Sequence, residues 1–456
     1  MAIQQKPTTQ REYLDTIAAF VADTTYDDLP EKVRLHAKYV WMDTLGVIMG
    51  GSREPQAAAL AQRLGNDSGS ATILGPGFPR CDAQNAALVN GTTGTFLELD
   101  ERHPPRGHPS IYTIPPILAL AEATDATGSQ LIEAQVLAYD FASRLAWAAR
   151  LIHGIHVHGS LGVVGASVAA ARILGFDASQ TREAISLGSS FNAVTPGLAA
   201  IEGALVRNAY AGYSGHMGVV IADLVRSGFT GLHDGLRETY TNLIGSAFDP
   251  SHFTEGLGND YYITTNVFKM HAACGHLHPT LDALESALAG RTLPPEEVEE
   301  VRVVGTNFVV EYGRTDPQNP LAAKFSVPFA VATRIAKNTT WISAFDQAAV
   351  DDPVTRDLAR RVTVEEDPAF TRRWPHEHPA RVEVMTTSGE TLRGQVDRPR
   401  GGPHTPFSYE DLEAKFASLT SPFFKGREAQ AIELFMHMDE LPRAGDLTTA
   451  LKGLAG

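Results

Sequence analysis

The sequence predicts a mainly α protein, in which a large all-helical domain is interrupted by a smaller α+β domain inserted before the C-terminal helices. Three observations predict this. From Arg11 to about Gly290, apolar residues recur at spacings of three and four, the mark of helices that bury one stripe. Beyond Leu293 the period drops to two, as in half-buried strands. From Tyr409 to Leu454 the helical period returns. A chain of 456 residues exceeds what one core holds. Boundaries are therefore expected at 1–268, 269–405 and 406–456, the outer two pieces forming the helical domain.

Each element has its own reason. The opening MAIQQKPTTQREYLDTIAAF lacks the apolar stretch of a secretion signal and reads as the start of an amphipathic helix. Glu31–Gly51 and Asn85–Leu99 carry the helical spacing. Leu161–Leu174 is built largely from Gly, Ala, Ser and Val. Such small residues let backbones approach closely, so a helix inside a bundle is expected. It stops at Gly175, and Asp177 is placed to cap the next helix, Ala178–Leu187. Glu297–Asn307, Arg361–Glu366 and Arg381–Val396 alternate as strands do, with Ser388-Gly389 at a hairpin turn. Lys324–Lys337 reads as a helix between them, and the Pro-rich Arg398–Pro406 closes the unit.

Composition narrows the function. There are 53 acidic against 38 basic side chains, a formal net charge of -15. That surface repels nucleic acid and anionic lipid, so neither is an expected partner. A small anionic substrate then needs a local basic pocket. No run of eighteen apolar residues is present, and a cytoplasmic location is expected. Two cysteines, Cys81 and Cys274, make neither a disulfide framework nor an iron–sulfur ligand set.

Four segments concentrate chemistry. Glu98–Ser110 (ELDERHPPRGHPS) gathers Glu98, Asp100, His103, Arg106 and His108 just before a helix start at Pro109. Acids, bases and cations at a helix N-terminus suit anion binding and proton transfer; a solvated loop with one structural histidine is the equal alternative. His153–His158 (HGIHVH) spaces three histidines like metal ligands, but no acidic ligand adjoins them and HExxH is absent. A general acid or base, His156 or His158, is the better reading. Arg207 stands ahead of a Gly/Ala-rich helix, where a surface position outweighs an anion clamp on sequence alone. Val267–Leu284 gathers Lys269, His271, Cys274, His276 and His278; Lys269 can hold a carboxylate, while a Cys274 nucleophile is disfavoured.

In this order, the strings DTLGVIMGG, NGTTGTFLELDERHPPRGHPSIYTIPPILALAE, GIHVHGSLGVVGASVAAARILGFD, RNAYAGYSGHMGVVIADLVRSGFTG, FKMHAACGHLHPTLDAL and EYGRTDPQNPLAAKFSVPFAVA resemble the MmgE/PrpD family. The family includes 2-methylcitrate dehydratases, cis-aconitate decarboxylases and iminodisuccinate epimerases. The resemblance implies a homodimeric lyase that uses neither metal nor organic cofactor, with dehydration slightly ahead of decarboxylation. Epimerisation of a dicarboxylic acid derivative is the alternative; a metal-dependent hydrolase or a non-catalytic relative follows further behind. It also implies His108, His156 (not His158), Lys269 and Tyr312 as catalytic residues. Arg207, Glu98, Asp100 and His103 are implied to bind substrate. Arg207 departs from the lysine of many members: the charge is kept, but proton donation is lost.

Overall fold

The computed structural model describes residues 12–66 and 68–456. Residues 1–11, where the sequence places the start of the first helix, lie outside it. Ten helices lead: α1 Glu12–Asp23, α2 Glu31–Gly51, α3 Pro55–Leu64, α4 Ala83–Thr93, α5 Pro109–Thr124, α6 Gly128–Ala148, α7 Val157–Ile173, α8 Ala178–Ser190, α9 Leu198–Glu202 and α10 Val206–Arg226. Helix α7 is the centre, packed by α5, α6, α8 and α10. Its residues from His158 to Ala171 are all buried, as its small side chains require. The same economy brings α10 onto α4: a Cβ at Gly212 would stand 2.2 Å from the Leu88 carbonyl oxygen. Asp177 caps α8 as expected, accepting from Gln180 N at 2.8 Å.

The alternating segments form one four-stranded sheet in the order Val362–Glu366, Val298–Gly305, Ala380–Thr386, Thr391–Val396. The first pair is parallel and the rest are antiparallel. Gly389, in the hairpin turn, has φ +85°, a conformation glycine takes without penalty. The helix His278–Leu288 packs on the two antiparallel strands. Strand Ala380–Thr386 buries every second residue. A second helix, Val327–Lys337, is shorter than the sequence suggests, because Ser326 caps it and Pro328 sits in its first turn.

The chain then returns to helix. Tyr409–Phe424 lies on α2, where Phe416 fills the space that a side chain at position 46 would take. The large core belongs to the helical domain. A second core, under the sheet, also takes in Val47, Leu97, Leu99 and Leu419. The segment around Leu97–Leu99 therefore lies at the seam between the two. Among the described residues, no helix is long and apolar enough to cross a membrane.

Candidate active site

The spacing predicts helix through Leu99, but α4 ends at Thr93 and residues 94–99 run as turns. Four cations from distant parts of the chain take the carbonyls that a helix would have used. Arg207 donates to Thr95 O at 3.4 Å and Lys324 to Phe96 O at 2.7 Å. Lys269 donates to Glu98 O at 3.1 Å and Lys415 to Leu99 O at 2.8 Å. All four are buried. This grip holds Glu98 at φ +53°, a left-handed conformation that costs a non-glycine residue about 1 kcal/mol.

The turn thereby brings two carboxylates inward. Glu98 pairs with Arg207 and lies 3.7 Å from Lys269 Nζ. Asp100 lies 3.6 Å from the same ammonium and 2.8 Å from His108 Nδ1. Burial alone would raise the Asp100 carboxyl, but Lys269 and His108 hold it well below its usual range. Arg207 is thus no surface residue. It lies inside the first turn of α10, 1% exposed, with its guanidinium over the Phe325 ring.

His108 is the residue that opens α5, and His156 the one that opens α7. The His156 Nδ1 accepts the His158 backbone N–H at 3.3 Å. Between them stands His158, its ring 4.9 Å from His108 and 4.5 Å from His156. Burial, reinforced by nearby cations and histidines, lowers both His156 and His158 well below the ordinary histidine value. Both are neutral at pH 7. Tyr312 follows the short helix Asn307–Glu311 and packs against Phe325 and His276. Burial, then the Cys274 thiol, push its phenol up.

The structure thus gathers Glu98, Asp100, His108, His156, Arg207 and Lys269, with Tyr312 alongside through Phe325. It does not bring His103 to them. His103 Nε2 meets Thr265 Oγ1 at 3.0 Å, between the rings of Tyr139 and Tyr262, and burial lowers its pKa to about 3. His271 and His278 are tied to Thr340, Asp282 and Ala273 O, a structural net. His153 is exposed. The Cys274 thiol is pushed up to about 12 by burial and by Glu98, which leaves it a poor nucleophile.

The residues alone left His156 and His158 as equal candidates and the resemblance set His158 aside; its two ring nitrogens are buried without a partner. Sequence reasoning missed Lys324 and Lys415. His158 is spaced from α7 like His156; the lysines gave no signal beyond apolar surroundings. One group of described residues could hold a metal: donor atoms of Asp100, His108 and His158 lie within 4.8 Å of one another. Asp100 and His108, however, meet at hydrogen-bond distance, 2.8 Å. Ligands about 2.1 Å from a tetrahedral ion stand wider apart than that. The arrangement is that of a carboxylate–imidazole pair.

A mainly α, two-domain scaffold that closes on a histidine–carboxylate pair among buried cations defines the class. The family models of the MmgE/PrpD N-terminal domain and C-terminal domain match residues 15–254 and 271–441, and the chain belongs to the MmgE/PrpD family. It is similar to a cis-aconitate decarboxylase of Homo sapiens, 24% identical over 93% of this chain and 91% of the relative. A cis-aconitate decarboxylase of Aspergillus terreus is 22% identical over 93% of each chain. A cis-aconitate decarboxylase-like protein of Aspergillus oryzae is 23% identical over 91% of this chain and 92% of its own.

Proposed function

We propose that the chain is a cofactor-independent lyase acting on a small polycarboxylate, by proton transfer at a carbon beside a carboxylate. The observation that carries this is the Asp100–His108 pair set beside the buried cations Arg207 and Lys269. Such cations give a small anion a local basic site in a chain that is otherwise negative. Arg207 and Lys269 hold substrate carboxylates and stabilise charge that develops on the reacting carbon.

The contacts divide the labour between the histidines. His108 Nδ1 faces Asp100 Oδ2 at 2.8 Å; with the Nδ1 hydrogen turned to that carboxylate in catalysis, Nε2 is the nitrogen that takes a proton. The imidazolium formed is stabilised by the carboxylate. His156 accepts at Nδ1, so its Nε2 carries hydrogen and serves as a neutral donor. In a decarboxylation, the bond to the departing carboxylate breaks, carbon dioxide leaves, the electron pair spreads over the adjoining double bond toward a remaining carboxylate, and a histidine delivers a solvent-derived proton to the carbon beside that carboxylate. In a dehydration, His108 removes the proton and His156 assists the leaving hydroxide. The relatives' names favour decarboxylation, reversing the order of the sequence-based expectation.

Proton NMR in D₂O with cis-aconitate, citrate, 2-methylcitrate and iminodisuccinate, with and without EDTA, tests the reading. The expected result is EDTA-resistant loss of carbon dioxide from cis-aconitate with deuterium taken up at the carbon beside a remaining carboxylate, abolished by His108→Asn. A change of diastereomer in iminodisuccinate alone would establish the epimerase instead. No reaction with any of the four overturns the proposal.

A further inference from the structure

We infer that a second cleft, between the helical domain and the small domain, binds a small carboxylate carried on a flat, apolar body. The cleft has a volume of about 250 Å³. One side is Arg102, Trp147 and Tyr262, and the other is Trp374 and His378. None of His108, His156, Asp100, Arg207 and Lys269 lines it.

Arg102 is the anchor. Its side chain is 8% exposed, yet among the described residues its guanidinium makes neither an ion pair nor a hydrogen bond, and Nε is buried without a partner. A guanidinium presents five donors in a planar fork and keeps its charge when buried, so an unpaired one asks for an anion. The other cation on the lining, Arg398, is already held by Glu377 at 2.8 Å. Gly275 makes the position possible, since a Cβ there would come within 2.4 Å of Arg102 Cδ.

Three further polar groups on the lining lack partners: His103 Nδ1, the Trp147 indole N–H and His378 Nδ1. One cation, one added N–H donor and aromatic walls match a monocarboxylate on a planar ring better than a phosphate, which needs more positive charge. The cleft touches the proton-transfer cluster at one remove. The His276 ring lies 5.4 Å from that of Trp374 and 5.8 Å from that of Tyr312. A ligand seated there pins the two domains together.

The probe is benzoate, with benzamide as its uncharged counterpart, titrated into the full chain while tryptophan fluorescence and thermal midpoint are followed. Expected are saturable quenching and a raised midpoint with benzoate, at least tenfold weaker with benzamide and in Arg102→Met, and unchanged in His108→Asn. Trp147→Phe, which keeps the wall and removes the N–H, weakens binding too, and serves if Arg102→Met does not fold. Absence of saturable binding, or equal affinity for benzamide, overturns the inference. Loss of benzoate binding in His108→Asn, or competition with cis-aconitate, places the ligand in the proton-transfer cluster and overturns it equally. Binding is read without turnover, so this result is independent of the proposed reaction.

Discussion

At the residue scale, the site is one in which burial and pairing separate the roles of like groups. His108 and His156 are the same side chain, but one sets Nδ1 2.8 Å from a carboxylate oxygen and the other accepts a backbone N–H. Replacing either by Asn should lower kcat by roughly 10²- to 10⁴-fold, the usual contribution of a positioned acid or base, with the melting temperature little changed. Retention of full activity in both variants would sink the assignment. Asp100→Asn tests the pair differently. Loss of the carboxylate should lower kcat by a factor comparable to that of His108→Asn, with KM changed by no more than a few-fold. Full retention of kcat would make Asp100 a purely steric support. The sequence showed the types and order of these residues in three separate segments, and the structure brings His108, His156 and Lys269 into one region. The sequence could not show that Arg207 is buried, because an arginine before a helix looks the same whether Glu98 or water awaits it.

At the scale of elements, the helices were legible where one face or the whole surface is apolar. The seam was not. Residues 94–99 have helical spacing, and only the arrival of Arg207, Lys269, Lys324 and Lys415, up to 316 positions away in sequence, unwinds them. Lys415 shows what this costs and gives. It reaches Leu99 O at 2.8 Å and Asp43 Oδ1 at 2.7 Å, joining the C-terminal helix Tyr409–Phe424, α2 and the catalytic turn. Both side chains of the pair are at most 1% exposed. Breaking a buried pair from one side leaves a bare charge, so Lys415→Met should cost about 3–5 kcal/mol in urea unfolding. Removing both charges in Lys415→Met with Asp43→Leu should recover more than half of that loss, yet leave activity low, because Leu99 O has lost its donor. Full recovery of activity in the double variant would show that the turn does not depend on this lysine.

At the scale of the whole molecule, two properties follow from where apolar and titratable groups end up. Ile152, Phe191, Val194, Leu198, Leu205 and Val206 are 39–66% exposed. The Ile155–Pro196 bridge joins their two stretches into one region beside His156. An apolar region of that kind marks an interface, so light scattering should give the mass of a homodimer, and Leu198→Glu with Val206→Glu should give a monomer. A monomeric parent chain would rule this out. The sequence could not display the patch, since its residues look like core until the fold leaves them outside. The second property is acid sensitivity. Burial lowers the pKa of His36, His103, His156, His158, His276, His278 and His378. The unfolded chain, with ordinary histidines near pH 6.5, takes up protons that the folded chain refuses. Their stabilisation is therefore complete above about pH 7 and is lost as pH falls. Burial raises Asp43, Glu101, Glu133 and Asp140, which bind protons first in the folded state and offset part of the effect. Seven groups against four leave a net uptake of protons on unfolding in mildly acid solution, so stability falls with pH there. The thermal midpoint should drop steeply between pH 6.5 and pH 5, well before the ion-paired carboxylates titrate. A flat midpoint across that window would mean that these histidines take up protons inside the folded protein, and that the neutral His156 required as a donor is not maintained by burial.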